Sequence, residues 1–218
     1  MPQSPDSHPK SIGFVLPLLR VVAFLIFSFF AAPIRTLGRH RVPTKGSLLV
    51  ISNHISNTDP VVVQYVCPRP VHFLARKELF EMGLLGNFLR WWRTVPIKQS
   101  SADRGAIKKA IELLKAGEAV GIFPEGQLSP DGRLLDLFAG TALIVRLAET
   151  PCVCVGLRGT NKVMPHPSVI PRWAFTTVRA HWGEVRTFTK ETEQEEIMAW
   201  IESELRRLSG QGIDGHHP

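Results

Sequence analysis

Leu48-Leu49-Val50-Ile51-Ser52-Asn53-His54-Ile55-Ser56-Asn57-Thr58-Asp59-Pro60 begins as an apolar run of strand length, Leu48 to Ile51. Polar residues break the run, and Asp59-Pro60 opens a second apolar segment, Val61 to Val66. The pattern predicts strand, loop and helix start in that order. His54 falls just past the strand, and Asp59 falls five positions on, at the mouth of the helix. That pairing suits proton transfer. An imidazole takes up a proton near neutral pH, and a carboxylate on its other nitrogen fixes the tautomer and stabilises the imidazolium. A loop can turn both side chains toward one point. A continuous strand would not, because odd offsets face opposite sides. The same residues also read as a helix start alone, since Asp before Pro is a good cap followed by Pro at the first helical position. Asn53 and His54 are then ordinary loop residues.

A second stretch has the same form. Gly121-Ile122-Phe123-Pro124-Glu125-Gly126-Gln127-Leu128-Ser129-Pro130-Asp131-Gly132-Arg133 is a strand running into a Gly- and Pro-rich loop, with Ser129-Pro130-Asp131-Gly132 a good turn sequence. In an open α/β sheet, ligands bind beyond the carboxyl ends of the strands. If the strands are parallel, His54 and Glu125 face one crevice. The plainer reading is a tight connection carrying a solvated glutamate.

Working outward, apolar runs at 48–51, 71–75, 94–97, 119–123 and 152–157 read as strands. Helical spacing of Ala106, Ile107, Ala110, Ile111 and Leu114, and the segment 140–149, fall between them. Strand–helix alternation predicts an α/β fold with a largely parallel sheet flanked by helices. Phe175 to Val185 reads as a late strand pair or edge. Thr192 to Leu208 reads as a helix, with Thr192 and Glu195 as a capping box and Ile197, Trp200, Ile201, Leu205 and Leu208 on one face.

The organisation read from these signals is a disordered start (1–10), an apolar helical segment associated with a membrane (11–38), a catalytic domain (39–209) and a flexible tail (210–218). Between Arg20 and Arg35 lie fourteen uncharged residues, Phe24, Phe27, Phe29 and Phe30 among them. As a helix they would span about 21 Å, short of the roughly 30 Å of a bilayer core. A helix or broken helix pair sunk into one leaflet fits that length and Arg20 better than a span or a signal peptide. Arg35, Arg39, His40, Arg41 and Lys45 follow, as on an anionic cytoplasmic surface.

The formal net charge of +7 implies an acidic partner. No nucleic-acid recognition motif accompanies it, while Arg90-Trp91-Trp92-Arg93 places aromatics among cations as a headgroup layer would favour. Cys67, Cys152 and Cys154 have neither CxxC nor metal spacing, which fits a reduced, cytosol-facing domain.

Together the motifs resemble the glycerophospholipid acyltransferase family, the 1-acylglycerol-3-phosphate O-acyltransferases and their PlsC-like relatives. Asn53, His54 and Asp59 match the first motif, and Phe123, Pro124, Glu125 and Gly126 match the third. Val95-Pro96-Ile97-Lys98-Gln99 with Asp103-Arg104 is similar to the second, and Pro151 to Val155 to the fourth. The likeness covers residues 40 to 165. It implies that His54 is the general base and Asp59 its orienting carboxylate. It also implies that Asn53, Lys98, Arg104, Glu125, Gly126 and Gln127 hold the acceptor, with no metal, no cofactor and no acyl-enzyme. The implied reaction moves an acyl chain from acyl-CoA or acyl carrier protein to a lysoglycerolipid, giving phosphatidic acid from 1-acylglycerol-3-phosphate. A catalytically silent lipid-binding scaffold and a phospholipid transacylase are the alternatives. Gln99 and Gln127-Leu128 stand where relatives carry Arg or Thr-Arg. A lost bidentate Arg weakens phosphate recognition more than a nearby Lys restores it.

Overall fold

The computed structural model describes residues 33–92, 94–97, 102–168 and 170–211, together with Val21, Leu25 and Phe29. Seven strands form one sheet: β1 Ile34–Leu37, β2 Leu48–Ser52, β3 His72–Arg76, β4 Val95–Ile97, β5 Ala119–Ile122, β6 Cys152–Arg158 and β7 Val178–Arg186. The helices are α1 Asp59–Val66, α2 Gly83–Trp91, α3 Ala102–Lys115, α4 Gly140–Ala148, α5 Thr160–Val163 and α6 Gln194–Ser209. Strand order across the sheet is β1-β7-β6-β2-β5-β3-β4. Five of the six strand pairings are parallel, and β6–β7 is antiparallel.

The central position of β2 explains its composition. All five of its residues are buried. Leu48 and Val50 pack on one face with Val62, Val63 and Val66 of α1, Phe73 and Trp182. Leu49 and Ile51 pack on the other with Ala110 and Leu114 of α3, Val145 of α4, and Ile197, Ile201 and Leu205 of α6. A strand covered on both faces reads as a continuous apolar run rather than an alternating one. Gly121 on neighbouring β5 leaves room for the Phe73 ring, which a Cβ there would strike.

Three expectations change. The sheet begins at Ile34, inside the stretch read as apolar helix, because Ile34–Leu37 pairs with Val178–His181. The stretch read as a strand pair or edge is one strand, β7, and it is not the edge, because β1 covers its outer side. Helix α6 starts at Gln194 with Glu193 as its cap, and no side chain caps it; Thr192 Oγ1 accepts instead from Thr189 N–H at 3.2 Å.

The reversed direction of β7 has a consequence for the site. Its first residues pair with the end of β6, Arg158 opposite Arg179, and β1 runs parallel to it. The starts of β1 and β7 therefore share a rim with the carboxyl ends of β2, β5 and β6. Val21, Leu25 and Phe29 are helical and exposed. No helix among the described residues is long and apolar enough to cross a membrane.

Candidate active site

The loop after β2 folds around one carboxylate. Asp59, fully buried at the start of α1, accepts through Oδ2 from Ile55 N–H at 2.6 Å and Ser56 N–H at 2.7 Å. The same oxygen lies 3.0 Å from His54 Nδ1. A carboxylate so placed favours the proton on Nδ1 and leaves Nε2 as a base. Nε2 carries no hydrogen bond among the described residues. The imidazole stacks on Phe123, with centroids 4.1 Å apart and planes 18° from parallel, and Phe123 stacks in turn on Phe73. His54 keeps 19% of its side chain exposed while Asp59 keeps none, so the base faces outward and its partner faces in.

The second loop braces the first from behind. Glu125 Oε1 accepts from His54 N–H at 2.7 Å, and Oε2 from Leu135 N–H at 3.2 Å. Ser129 N–H donates to the His54 carbonyl at 2.8 Å. Gly126, at φ +65°, makes the turn beside Glu125 that few other residues accommodate. Burial pushes the Glu125 carboxyl up to about 7 from 4.5, against the opposing pull of the two amide donors.

This shift has a sign that can be measured. An unfolded chain releases the Glu125 proton near 4.5 and the folded chain near 7. Between those values the folded state holds the proton more tightly, so Glu125 contributes a loss of stability as pH rises from about 4.5 to about 7 and none beyond. Glu125→Gln is expected to remove that decline in urea unfolding free energy measured across the interval. An equally steep decline in the variant would assign it to another group.

The remaining expected site residues divide. Asn53 is fully buried, and its amide bridges to β6: Nδ2 donates to Leu157 O at 3.1 Å, and Oδ1 accepts from Leu157 N–H at 2.7 Å. That geometry occupies Asn53 in joining two strand ends, which corrects the expectation that it touches substrate. Gly126 and Gln127 are exposed beside the histidine loop. Arg104 is exposed in the first turn of α3, just past β4 and three strands from β2, a separation of roughly 14 Å. Lys98 and Gln99 lie outside the described residues. Sequence reasoning missed Phe123, whose ring backs His54, and the amides of Ile55 and Ser56. The aromatic just past β5 was a readable signal for the first; nothing in the sequence marks the second.

Burial pushes Cys152 up to about 12 and Cys154 well above its usual range, so neither is a ready nucleophile. Among the described residues no cluster of three His, Cys, Asp or Glu could hold a metal ion.

The Acyltransferase family model matches residues 33–158. The match spans the sheet from the start of β1 to the end of β6, and the chain belongs to that family. The chain is 27% identical over 129 residues to the 1-acyl-sn-glycerol-3-phosphate acyltransferase of Bacillus subtilis (strain 168), covering 59% of this chain and 64% of that one. It is 25% identical over 150 residues to the enzyme of the same name from Borreliella burgdorferi, covering 67% and 60%. It thus spans less than two thirds of the length of these relatives. Its fold is that of the 1-acyl-sn-glycerophosphate (LPA) acyltransferase PlsC from Thermotoga maritima, with a TM-score of 0.77 at 24% identity over 93% of this chain and 82% of that one.

Proposed function

We propose that this chain transfers a fatty acyl group from a thioester of coenzyme A or acyl carrier protein to the hydroxyl of a lysoglycerolipid, most favourably 1-acylglycerol-3-phosphate, to give phosphatidic acid. The observation that carries the reading is the buried carboxylate at His54 Nδ1 with Nε2 left unbonded. Membership of the acyltransferase family and the names of the curated relatives support it.

In this mechanism Nε2 takes the proton of the acceptor hydroxyl as its oxygen attacks the thioester carbonyl. Asp59 stabilises the resulting imidazolium. The tetrahedral intermediate then expels the thiolate, and the imidazolium returns its proton to the leaving sulfur. The amides of His54, Ile55 and Ser56 are already bound to carboxylates. We assign the oxyanion instead to the N–H groups of Gln127 and Leu128, which have no partner among the described residues. The headgroup lies across the ends of β5 and β3, and the phosphate is bound by Lys98 and Arg104. The N-terminal apolar segment embeds in one leaflet on the cytoplasmic face.

Purified full-length protein in detergent, given labelled palmitoyl-CoA and a panel of lysolipids, is expected to give product with lysophosphatidic acid. Product with a different lysolipid alone would mean that Gln99 and Leu128 mark a changed acceptor. No product from folded protein with either donor carrier would overturn the reading.

A further inference from the structure

We infer that the rim formed by the start of β1, the start of β7 and the loop before β7 is a docking surface for an anionic bilayer, separate from the N-terminal segment. The inference rests on the reading that the chain acts on membrane lipids, and it names the part of the folded domain that meets them.

The first observation is apolar. Ile170, Trp173 and Phe175 are 73%, 54% and 82% exposed. Trp173 stacks on Phe175 at 6.0 Å and meets Phe29 at 5.1 Å, so the exposed rings of the loop cluster together with Phe29 beside them. Phe175 has φ +41°, a conformation costly for a bulky residue. The loop is braced from behind, with Arg172 N–H donating to Val163 O at 2.8 Å and Nε to Lys162 O at 3.1 Å. A held loop that presents aromatic rings to water matches the interfacial belt of membrane-bound proteins.

The second observation is charge. Arg35 of β1 pairs with Arg179 of β7, and Arg179 pairs with Arg158 of β6. Three arginines thus lie in a row on one face, an arrangement that repels itself. None has a carboxylate within ion-pair distance among the described residues, and Arg158 Nε is buried without a partner. Arg158 lies against Gly210 at the carboxyl end of α6, which offers carbonyl dipoles and no full charge. Lipid phosphates would neutralise the row at the depth where Trp173 and Phe175 enter the interface.

The third observation is position. Ser56 Oγ donates to Met164 O at 2.9 Å, and Asn57 Nδ2 to Ser168 O at 3.1 Å. The segment leading to the aromatic loop is therefore bonded to the histidine loop. Docking there sets His54 at the surface from which a lipid acceptor must come.

The test labels the full chain at Phe175→Cys with an environment-sensitive fluorophore, since Cys67, Cys152 and Cys154 are buried. Leu25→Cys and Lys45→Cys are labelled in parallel; Lys45 just precedes β2 and so lies at the opposite rim of the sheet, not on the anionic surface its sequence position suggested. Phosphatidylcholine vesicles containing phosphatidylglycerol are expected to brighten and blue-shift the probe at 175 and at 25, with quenching by brominated lipid, and to leave 45 unchanged. Arg35→Gln and Arg179→Gln are each expected to weaken vesicle binding about fivefold. A probe at 175 that stays in water while 25 brightens would overturn the docking surface and leave the membrane reading standing. No binding and no change at either site would overturn both.

Discussion

His54→Ala is expected to lower acyl transfer by about 10²–10⁴, the range for losing a positioned general base, without loss of fold. The geometry separates these two consequences. The imidazole lies over Phe123 and stays partly exposed, so its removal leaves a shallow surface gap rather than a core cavity. The bonds that hold the loop do not pass through it: Ile55 and Ser56 still donate to Asp59, and the residue-54 amide still donates to Glu125. The fall should appear in kcat, since the proton transfer belongs to the transition state and not to ground-state binding. Single-turnover rates with labelled acyl-CoA, beside urea unfolding of the same preparation, check both halves. Undiminished turnover would remove His54 from the chemistry. A collapsed unfolding midpoint would make the loss structural.

How much of this could be read before folding differs from residue to residue. His54 and Asp59 were legible because both partners lie in one loop, five positions apart, and local chemistry suffices to pair them. β2 was legible because burial on both faces demands an unbroken apolar run. β1 was not: of Ile34–Leu37 only Ile34 is even partly covered, and Leu37 is 67% exposed, so an edge strand left no alternation to read. The direction of β7 was illegible for another reason. Strand composition reports burial, while parallel or antiparallel pairing is decided by where the connection emerges. Glu125 stood out as a charge at a strand end, but its partners are amides 71 positions before it and 10 after it. Any residue offers such an amide, so no side-chain pattern announces them. Asn53 misled in the converse way, because a polar side chain beside a catalytic histidine serves equally to tie the loop to Leu157.

Asp59→Asn is expected to cost about as much activity as His54→Ala, and also about 1–3 kcal/mol of stability from the buried polar group it strands. Asp59 Oδ2 serves three neighbours, while Oδ1 is buried without a partner. An asparagine that keeps its oxygen toward Ile55 and Ser56 must put its amide group where Oδ1 now sits, and that place offers no acceptor. If it turns over to satisfy the amide, two backbone donors lose theirs. Either way the imidazolium that forms during transfer loses its counter-charge. This variant also separates the two readings of Asp59-Pro60. If Asp59 served only to start α1, Asp59→Asn would leave kcat untouched, since asparagine is itself a good cap. If Asp59 acts through His54, kcat falls and the double variant with His54→Ala is no slower than His54→Ala alone, because the second change removes support from a base already absent. Additive losses in that cycle would mean that Asp59 reaches the reacting groups by a route other than the imidazole.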